Sequence, residues 1–219
     1  MNLQGVSDEI ARILEPVSKL ESIRDYILIG GTSLSLQLGH RLSQDLDFCK
    51  WPLPAKSEID WPLILAELRK VFTSAEPDIL DFNQVNFIAD GIRLSFYSNH
   101  LYKSPTTKTI NFLNNIKIPD IETIGVMKLE VMLRRSNFRD YYDIYSILKK
   151  GIPIKKMVEG AVRYSNHNLK TRDILNFISS GDNFKKDSQF NLLKPAYNVS
   201  EKDIEKLIRD IIVKEYSTP

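Results

Sequence analysis

The segment from Ile27 to Phe48, ILIGGTSLSLQLGHRLSQDLDF, constrains the fold more than any other part of the chain. A short apolar strand pattern ends at two glycines, and a brief helical pattern follows and ends at Gly39. The chain then alternates acidic and apolar residues, so the carboxylates of Asp45 and Asp47 leave a strand from the same face. The segment predicts a strand, a short helix and a second strand that carries paired carboxylates.

This segment combines two features that suit a bound phosphate and its metal ion. Two carboxylates on one strand face can share a hard cation such as Mg²⁺ or Mn²⁺, which also binds substrate phosphates. Gly30 and Gly31 allow close backbone approach, and Thr32 opens a helix whose amino end favours anions. Each feature alone also fits a plain structural role, as a surface strand, a tight turn or a helix cap.

Helical and strand periodicities divide the rest of the chain. Asp90-Gly91 lies between two alternating runs and predicts a two-residue hairpin turn. A long helical pattern follows Asp120 and ends near Gly151, either continuous or broken at Ser136-Asn137. The other predicted elements are helices over Ser7–Ile23, Ile59–Phe72, Ile154–Tyr164, Thr171–Ile178 and Glu201–Tyr216, and a short strand before Pro119.

Composition narrows the class of protein. A formal net charge of +2 over 219 residues means that any nucleic-acid site must be local. Cys49 is the single cysteine, and the sequence carries no signal-peptide pattern and no long apolar run. We therefore expect a globular protein of the reducing cytoplasm without a membrane function, in which Cys49 is a small core residue.

Two blocks of sequence resemble the nucleotidyltransferase AbiEii/AbiGii toxin family, within the DNA polymerase β-like nucleotidyltransferase superfamily. The first block is GGTSLSLQLGHRLSQDLDF, and it matches the family at Gly30, Gly31, Thr32, His40, Arg41, Asp45 and Asp47. The second is KLEVMLRRSNFRDYYDIY, which matches at Lys128, Arg135, Arg139, Asp140 and Asp143. The matching motifs lie between Tyr26 and Leu148.

The resemblance implies an α+β fold, with a mixed sheet flanked by helices over residues 1–118 and a helical part over 119–219 that completes a cleft. It implies a nucleoside triphosphate substrate, Mg²⁺ or Mn²⁺, an acceptor such as tRNA or another RNA, and an antitoxin encoded nearby. Asp45 and Asp47 would hold the metal. The expected nucleotide-binding residues are Gly30, Gly31, Thr32, His40, Arg41, Arg135 and Arg139, and the further catalytic candidates are Lys128, Asp140 and Asp143.

The second block can also be interpreted from its spacing. In a continuous helix Lys128, Arg135 and Arg139 share nearly one stripe, with Asp143 one turn beyond. Such cations either line a site or pair with carboxylates. The alternative is that Arg139, Asp140 and Asp143 form ion pairs on the helix surface. His40 has two alternative roles: it could orient a carboxylate or contact phosphate, or it could be a hydrogen-bonded structural residue at the end of the helix.

One position departs from the superfamily pattern, which often has a third carboxylate on a neighbouring strand. Hairpin alternation puts Ser95 there, because Ile92, Leu94 and Phe96 take the core face. A hydroxyl is a poor base, so Asp140 or Asp143 would have to receive the acceptor's proton. The alternative function is a nucleotide-binding regulatory or interaction module that has lost transfer activity, and Ser95 is its main support.

Overall fold

The structure is a computed structural model that describes residues 3, 5–51, 58–99, 103–106 and 108–217. The chain divides into two compact units, Met1–Asp120 and Ile121–Pro219. Among the described residues, no helix is both long enough and apolar enough to cross a membrane.

The described residues of the first unit form a five-stranded mixed sheet, a two-stranded sheet and three α-helices. Its helices are α1 (Asp8–Ser18), α2 (Gly30–Leu38) and α3 (Trp61–Val71). The strands are β1 (Ile27–Ile29), β2 (Leu46–Lys50), β3 (Ala75–Leu80), β4 (Gln84–Ala89), β5 (Ile92–Ser98), β6 (Thr109–Leu113) and β7 (Ile116–Pro119). The large sheet has the order β1-β2-β5-β4-β3, and β2 pairs in parallel with β5 while the other pairs are antiparallel.

One face of the large sheet builds the core of the first unit. Phe96 lies at its centre, stacked on Phe48 with ring centroids 5.3 Å apart and edge-on to Tyr26 at 5.4 Å. Ile10 and Leu14 of α1 and the apolar side of α3 belong to the same buried cluster. Because side chains alternate along a strand, the opposite face receives Asp47, Ser95 and their in-register neighbours.

The amino-terminal segment is bonded to the chain just before β2. The amide of Ser7 donates to the carbonyl of Ser43 at 3.0 Å, and the amide of Ser43 donates to the carbonyl of Gly5 at 3.1 Å. A Cβ atom on Gly5 would lie 1.9 Å from the carbonyl oxygen of Ser35, so only glycine fits there. The amino-terminal segment is thus held against α2 and against the residues that directly precede Asp45.

The second unit is helical, with α4 (Ile121–Met132), α5 (Phe138–Lys149), α6 (Ile154–Tyr164), α7 (Thr171–Ile178) and α8 (Glu201–Tyr216). α4 and α6 approach closely at two glycines: a Cβ on Gly125 would meet Met157, and one on Gly160 would meet Val126. The ring of Tyr141 on α5 stacks on Phe184 with centroids 3.9 Å apart. The stacking of Tyr141 anchors α5, which carries much of the second sequence block.

The α+β class and the mixed sheet are confirmed, as is the hairpin turn, where Asp90 and Gly91 both have positive φ. α6, α7 and α8 have the predicted bounds. The long pattern after Asp120 is two helices, so the continuous alternative is wrong. β3 and β6 were not predicted, and α1 ends at Ser18, before a separate short 3₁₀ turn at Glu21–Ile23.

Candidate nucleotidyltransferase site

The carboxylate of Asp47 lies against the amino end of α2. Gly30 is the first residue of that helix and has a φ of 73°. A Cβ built on Gly30 would lie 2.9 Å from Oδ2 of Asp47, so a side chain there would collide with the carboxylate. The glycine is therefore required both by backbone conformation and by space.

Thr32 positions the chain that carries Asp45. Its hydroxyl is hydrogen-bonded to the backbone carbonyl of Asp45 and, at 2.8 Å, to Oγ of Ser43. A carbonyl only accepts, so the single hydroxyl proton of Thr32 goes to Asp45, and Ser43 donates to Thr32. Asp45 itself directly precedes β2 and its side chain is exposed. No sequence pattern singled out Ser43 as part of this arrangement.

Arg41 and His40 are both buried beside the same turn. A Cβ on Gly31 would lie 2.5 Å from Nη2 of Arg41, which places the guanidinium directly behind the second glycine. Nη1 of Arg41 donates to the carbonyl of Leu42 at 3.0 Å. The structure thus brings five predicted residues, Gly30, Gly31, Thr32, Arg41 and Asp47, to one end of α2.

A row of polar residues crosses the sheet from Asp47. Ser95 on β5 is in register with Asp47 on β2, and Asn86 on β4 is in register with Ser95. Ser95 and Asn86 are buried, and the side-chain amide of Gln84 donates to Oδ1 of Asn86 at 3.2 Å. Ser95 therefore lies beside the aspartate strand, at the position that hairpin alternation predicted.

No group of three or more His, Cys, Asp or Glu side chains is arranged to hold a metal ion within the part of the chain that the structure describes. Asp45 and Asp47 alone still suit Mg²⁺, which takes one or two carboxylates and completes its shell with substrate phosphates and water. Asp45 is exposed and Asp47 is half-buried, so neither carboxylate is sealed in the core.

Cys49 shares a strand face with Asp47 but is not a nucleophile. Burial raises the pKa of its thiol well above the ordinary value, and the Asp47 carboxylate raises it further. A protonated thiol is neither a strong nucleophile nor a metal ligand. Its role as a small core residue is consistent with this environment.

Lys128, Asp140 and Asp143 form a buried ionic cluster in the second unit. Nζ of Lys128 lies 2.6 Å from Oδ1 of Asp140 and 2.7 Å from Oδ2 of Asp143. The three side chains are 6%, 3% and 0% exposed, respectively. Asp140 is also bound by Arg135, with Nε 3.1 Å from Oδ2. The lysine charge is therefore balanced by two carboxylates of α5.

The cations of the second block pair with carboxylates, as one interpretation of their spacing allowed, but neither the continuous helix nor the surface placement is correct. In a continuous helix Lys128 and Asp140 would be about 18 Å apart along the axis, but the chain turns between α4 and α5 and brings them into contact. The surface alternative is wrong for Asp140 and Asp143, which are buried. Arg139 pairs instead with Asp187, a residue that the sequence did not single out.

Comparison with known proteins identifies the family of this chain. A model of the family described as nucleotidyl transferase AbiEii toxin, type IV toxin–antitoxin system, matches residues 12–212. The chain belongs to this family, so it is a nucleotidyltransferase of the AbiEii toxin class.

An uncharacterized protein of Aquifex aeolicus (strain VF5) is 27% identical over 175 residues, which cover 76% of this chain and 79% of the relative. MenT4, a nucleotidyltransferase toxin from Mycobacterium tuberculosis H37Rv, has a similar structure, with a TM-score of 0.52, 18% identity and coverage of 90% of this chain and 81% of its own. JHP933 from Helicobacter pylori gives a TM-score of 0.48 at 13% identity over 97% of both chains. The similarity to MenT4 supports the fold.

Proposed function

We propose that this chain transfers a nucleoside monophosphate from a nucleoside triphosphate to a hydroxyl of an RNA acceptor such as tRNA, and releases pyrophosphate. The observation that carries the proposal is the placement of Asp47 against the glycine that opens α2. A helix amino end that suits phosphate binding and a carboxylate that suits metal binding lie together there, within one unit of the fold.

In this proposal Asp45 and Asp47 hold Mg²⁺ or Mn²⁺. When bound, the ion would neutralise charge on the triphosphate and polarise the phosphorus that is attacked. The amides of Gly30 and Gly31 bind phosphate oxygens, while the Thr32 hydroxyl fixes the backbone of Asp45. Arg41 supports Gly31 from behind and adds positive charge near the turn.

The second sequence block has an indirect role in this proposal. Asp140 and Asp143 are counter-ions that hold Lys128, and their burial leaves neither one exposed to take a proton from an acceptor. Lys128 would reach a phosphate only by exchanging one carboxylate for it. We therefore assign Lys128, Asp140 and Asp143 to positioning, and keep Arg135 and Arg139 as the outward-facing cations of the block.

The test is incubation of the purified protein with total RNA and each α-labelled nucleoside triphosphate. Label on RNA together with pyrophosphate release supports the proposal. Asp47→Asn should abolish both, because it removes a metal ligand and one negative charge. Asp25→Asn is the matched control, since Asp25 is exposed in the same unit, and it should retain full transfer. Full transfer by Asp47→Asn would refute the metal assignment.

The alternative is a nucleotide-binding module without transfer activity, and the register of Ser95 with Asp47 favours it, because no third carboxylate stands there. The same assay separates the two functions. Calorimetric binding of a non-hydrolysable triphosphate without any labelled product would support the module. The family's toxin–antitoxin class further implies an antitoxin partner, which reading the adjacent gene would test.

A further inference from the structure

Two distant segments of the second unit are joined beside the buried ionic cluster. Asn137, just before α5, forms a parallel bridge with Lys185. The amide of Lys185 donates to the carbonyl of Ser136 at 2.7 Å, and the amide of Phe138 donates to the carbonyl of Lys185 at 3.2 Å. Segments that are about fifty residues apart in sequence therefore present their side chains together.

These segments carry five cationic residues, which we call the basic rim: Arg134, Arg135, Arg139, Lys185 and Lys186. All three arginines are ion-paired, and for Arg134 and Arg135 the carboxylate partner is deeply buried. Arg134 and Arg135 have side chains 65% and 58% exposed, whereas their partners Glu130 and Asp140 are 7% and 3% exposed. Lys185 and Lys186 are both exposed.

The carboxylates hold the guanidinium groups in place, and each ion pair is neutral overall, so the net positive charge of the basic rim comes from Lys185 and Lys186. Arg134 uses Nη2 for Glu130, and Arg139 uses Nε for Asp187. A guanidinium has five N–H groups, so each of these arginines keeps donors for a second anion. The basic rim therefore offers guanidinium donors held by ion pairs, together with two exposed ammonium groups.

Charge is also distributed unevenly along the chain. Residues 121–219 contain 18 Lys and Arg against 13 Asp and Glu, whereas residues 1–120 contain 12 against 15. The net charge of +2 thus conceals a basic second unit. Several cations spread over two segments suit a chain of phosphates better than a single small anion.

We propose that the basic rim binds the sugar–phosphate backbone of the RNA acceptor, an inference that rests on the proposed function and deepens it. Guanidinium groups bind phosphate oxygens in pairs, and lysines add point charges that tolerate any sequence. The contacts are to backbone, so binding at the rim is independent of base identity.

The experiment measures fluorescence anisotropy of a labelled 20-nucleotide single-stranded RNA over a range of KCl concentrations. The variant Lys185→Ala/Lys186→Ala should bind about tenfold more weakly at 50 mM salt. The slope of log affinity against log salt should become shallower by about 1.4, since each lost phosphate contact to a single strand contributes about 0.7. The bridge between the segments uses backbone atoms, so the variant keeps it.

Lys149→Ala/Lys150→Ala is the matched control. It removes the same charge at the other end of α5, about 18 Å from the rim along the helix axis. It should keep the wild-type RNA affinity and salt slope. A melting curve checks that each variant is folded, and Lys186→Glu provides a second rim variant that leaves Lys185 unchanged.

Unchanged RNA affinity in both rim variants overturns the proposal, as does an equal loss in the Lys149/Lys150 control. If the rim variants bind anionic phospholipid vesicles more weakly than the wild type but bind RNA equally well, the proposal is also overturned, and the rim binds a membrane surface instead. If the wild type transfers label but RNA binding does not depend on the basic rim, the inference about the rim fails while the proposed transfer activity stands. If the wild type transfers no label but RNA binding depends on the rim, the reaction fails while the inference stands.

Discussion

Replacing Lys128 with methionine tests whether the buried ionic cluster is structural. Methionine has a similar length but no charge, so Asp140 keeps Arg135 as a partner while Asp143 loses the ammonium group 2.7 Å away. Removing one member of a buried ion pair costs about 3–5 kcal/mol, because the remaining charge stays buried. For a chain of this length the loss corresponds to a fall in Tm of about 6–20 °C.

Circular dichroism melting is the assay, and a second substitution sharpens it. The double variant Lys128→Met/Asp143→Asn also removes the negative charge of the Asp143 carboxylate, and it should therefore recover much of the lost Tm. Lys149→Met is the control at an exposed site, where the free energy of unfolding should change by less than about 0.5 kcal/mol. A Tm within 2 °C of wild type for Lys128→Met would refute the structural assignment, and loss of triphosphate affinity alone would return Lys128 to a phosphate-binding role.

Three other perturbations address single features of the fold and site. Gly30→Ala should abolish transfer and lower Tm, because it combines a positive φ with a contact to Asp47, whereas Gly39→Ala has a similar φ but open space and should only lower Tm. Ser95→Asp should increase transfer or Mg²⁺ affinity if a third carboxylate is missing; reduced activity would show that added charge repels the triphosphate. Burial raises the pKa of Glu130, so its contribution favours folding at low pH and is lost as pH rises through that raised value. The Tm of Glu130→Gln relative to wild type should therefore increase from pH 4 to pH 7, and a constant difference would contradict the sign.

Local pattern predicted those parts of the fold whose residues specify their own conformation. The Asp90-Gly91 turn and the three last helices are of this kind, because turn chemistry and a continuous apolar stripe act within a few residues. β3 escaped prediction because it is an edge strand with exposed charged residues and Pro77, and so lacks the alternation of a half-buried strand.

The candidate site was predictable where its residues lie close together in sequence. The segment from Gly30 to Asp47 contains its own strand–helix–strand geometry, so the approach of the glycine to the carboxylate follows from it. The basic rim did not follow, because Lys185 joins Asn137 through a backbone bridge that no local pattern encodes. The sequence identified the members of the Lys128 cluster but not their contacts. Those contacts depend on the turn between α4 and α5, which decides which atoms meet.

The position of β2 in the sheet also bears on biosynthesis. β2 has β1 on one side, made earlier, and β5 on the other, and Asp47 reaches its neighbour Ser95 only across this parallel pairing. Parallel pairing of distant strands forms late in folding, since the intervening loop must close first. A nascent chain or a truncated translation product that stops before Ser98 lacks this support. The candidate site is therefore incomplete until nearly half of the polypeptide has been made.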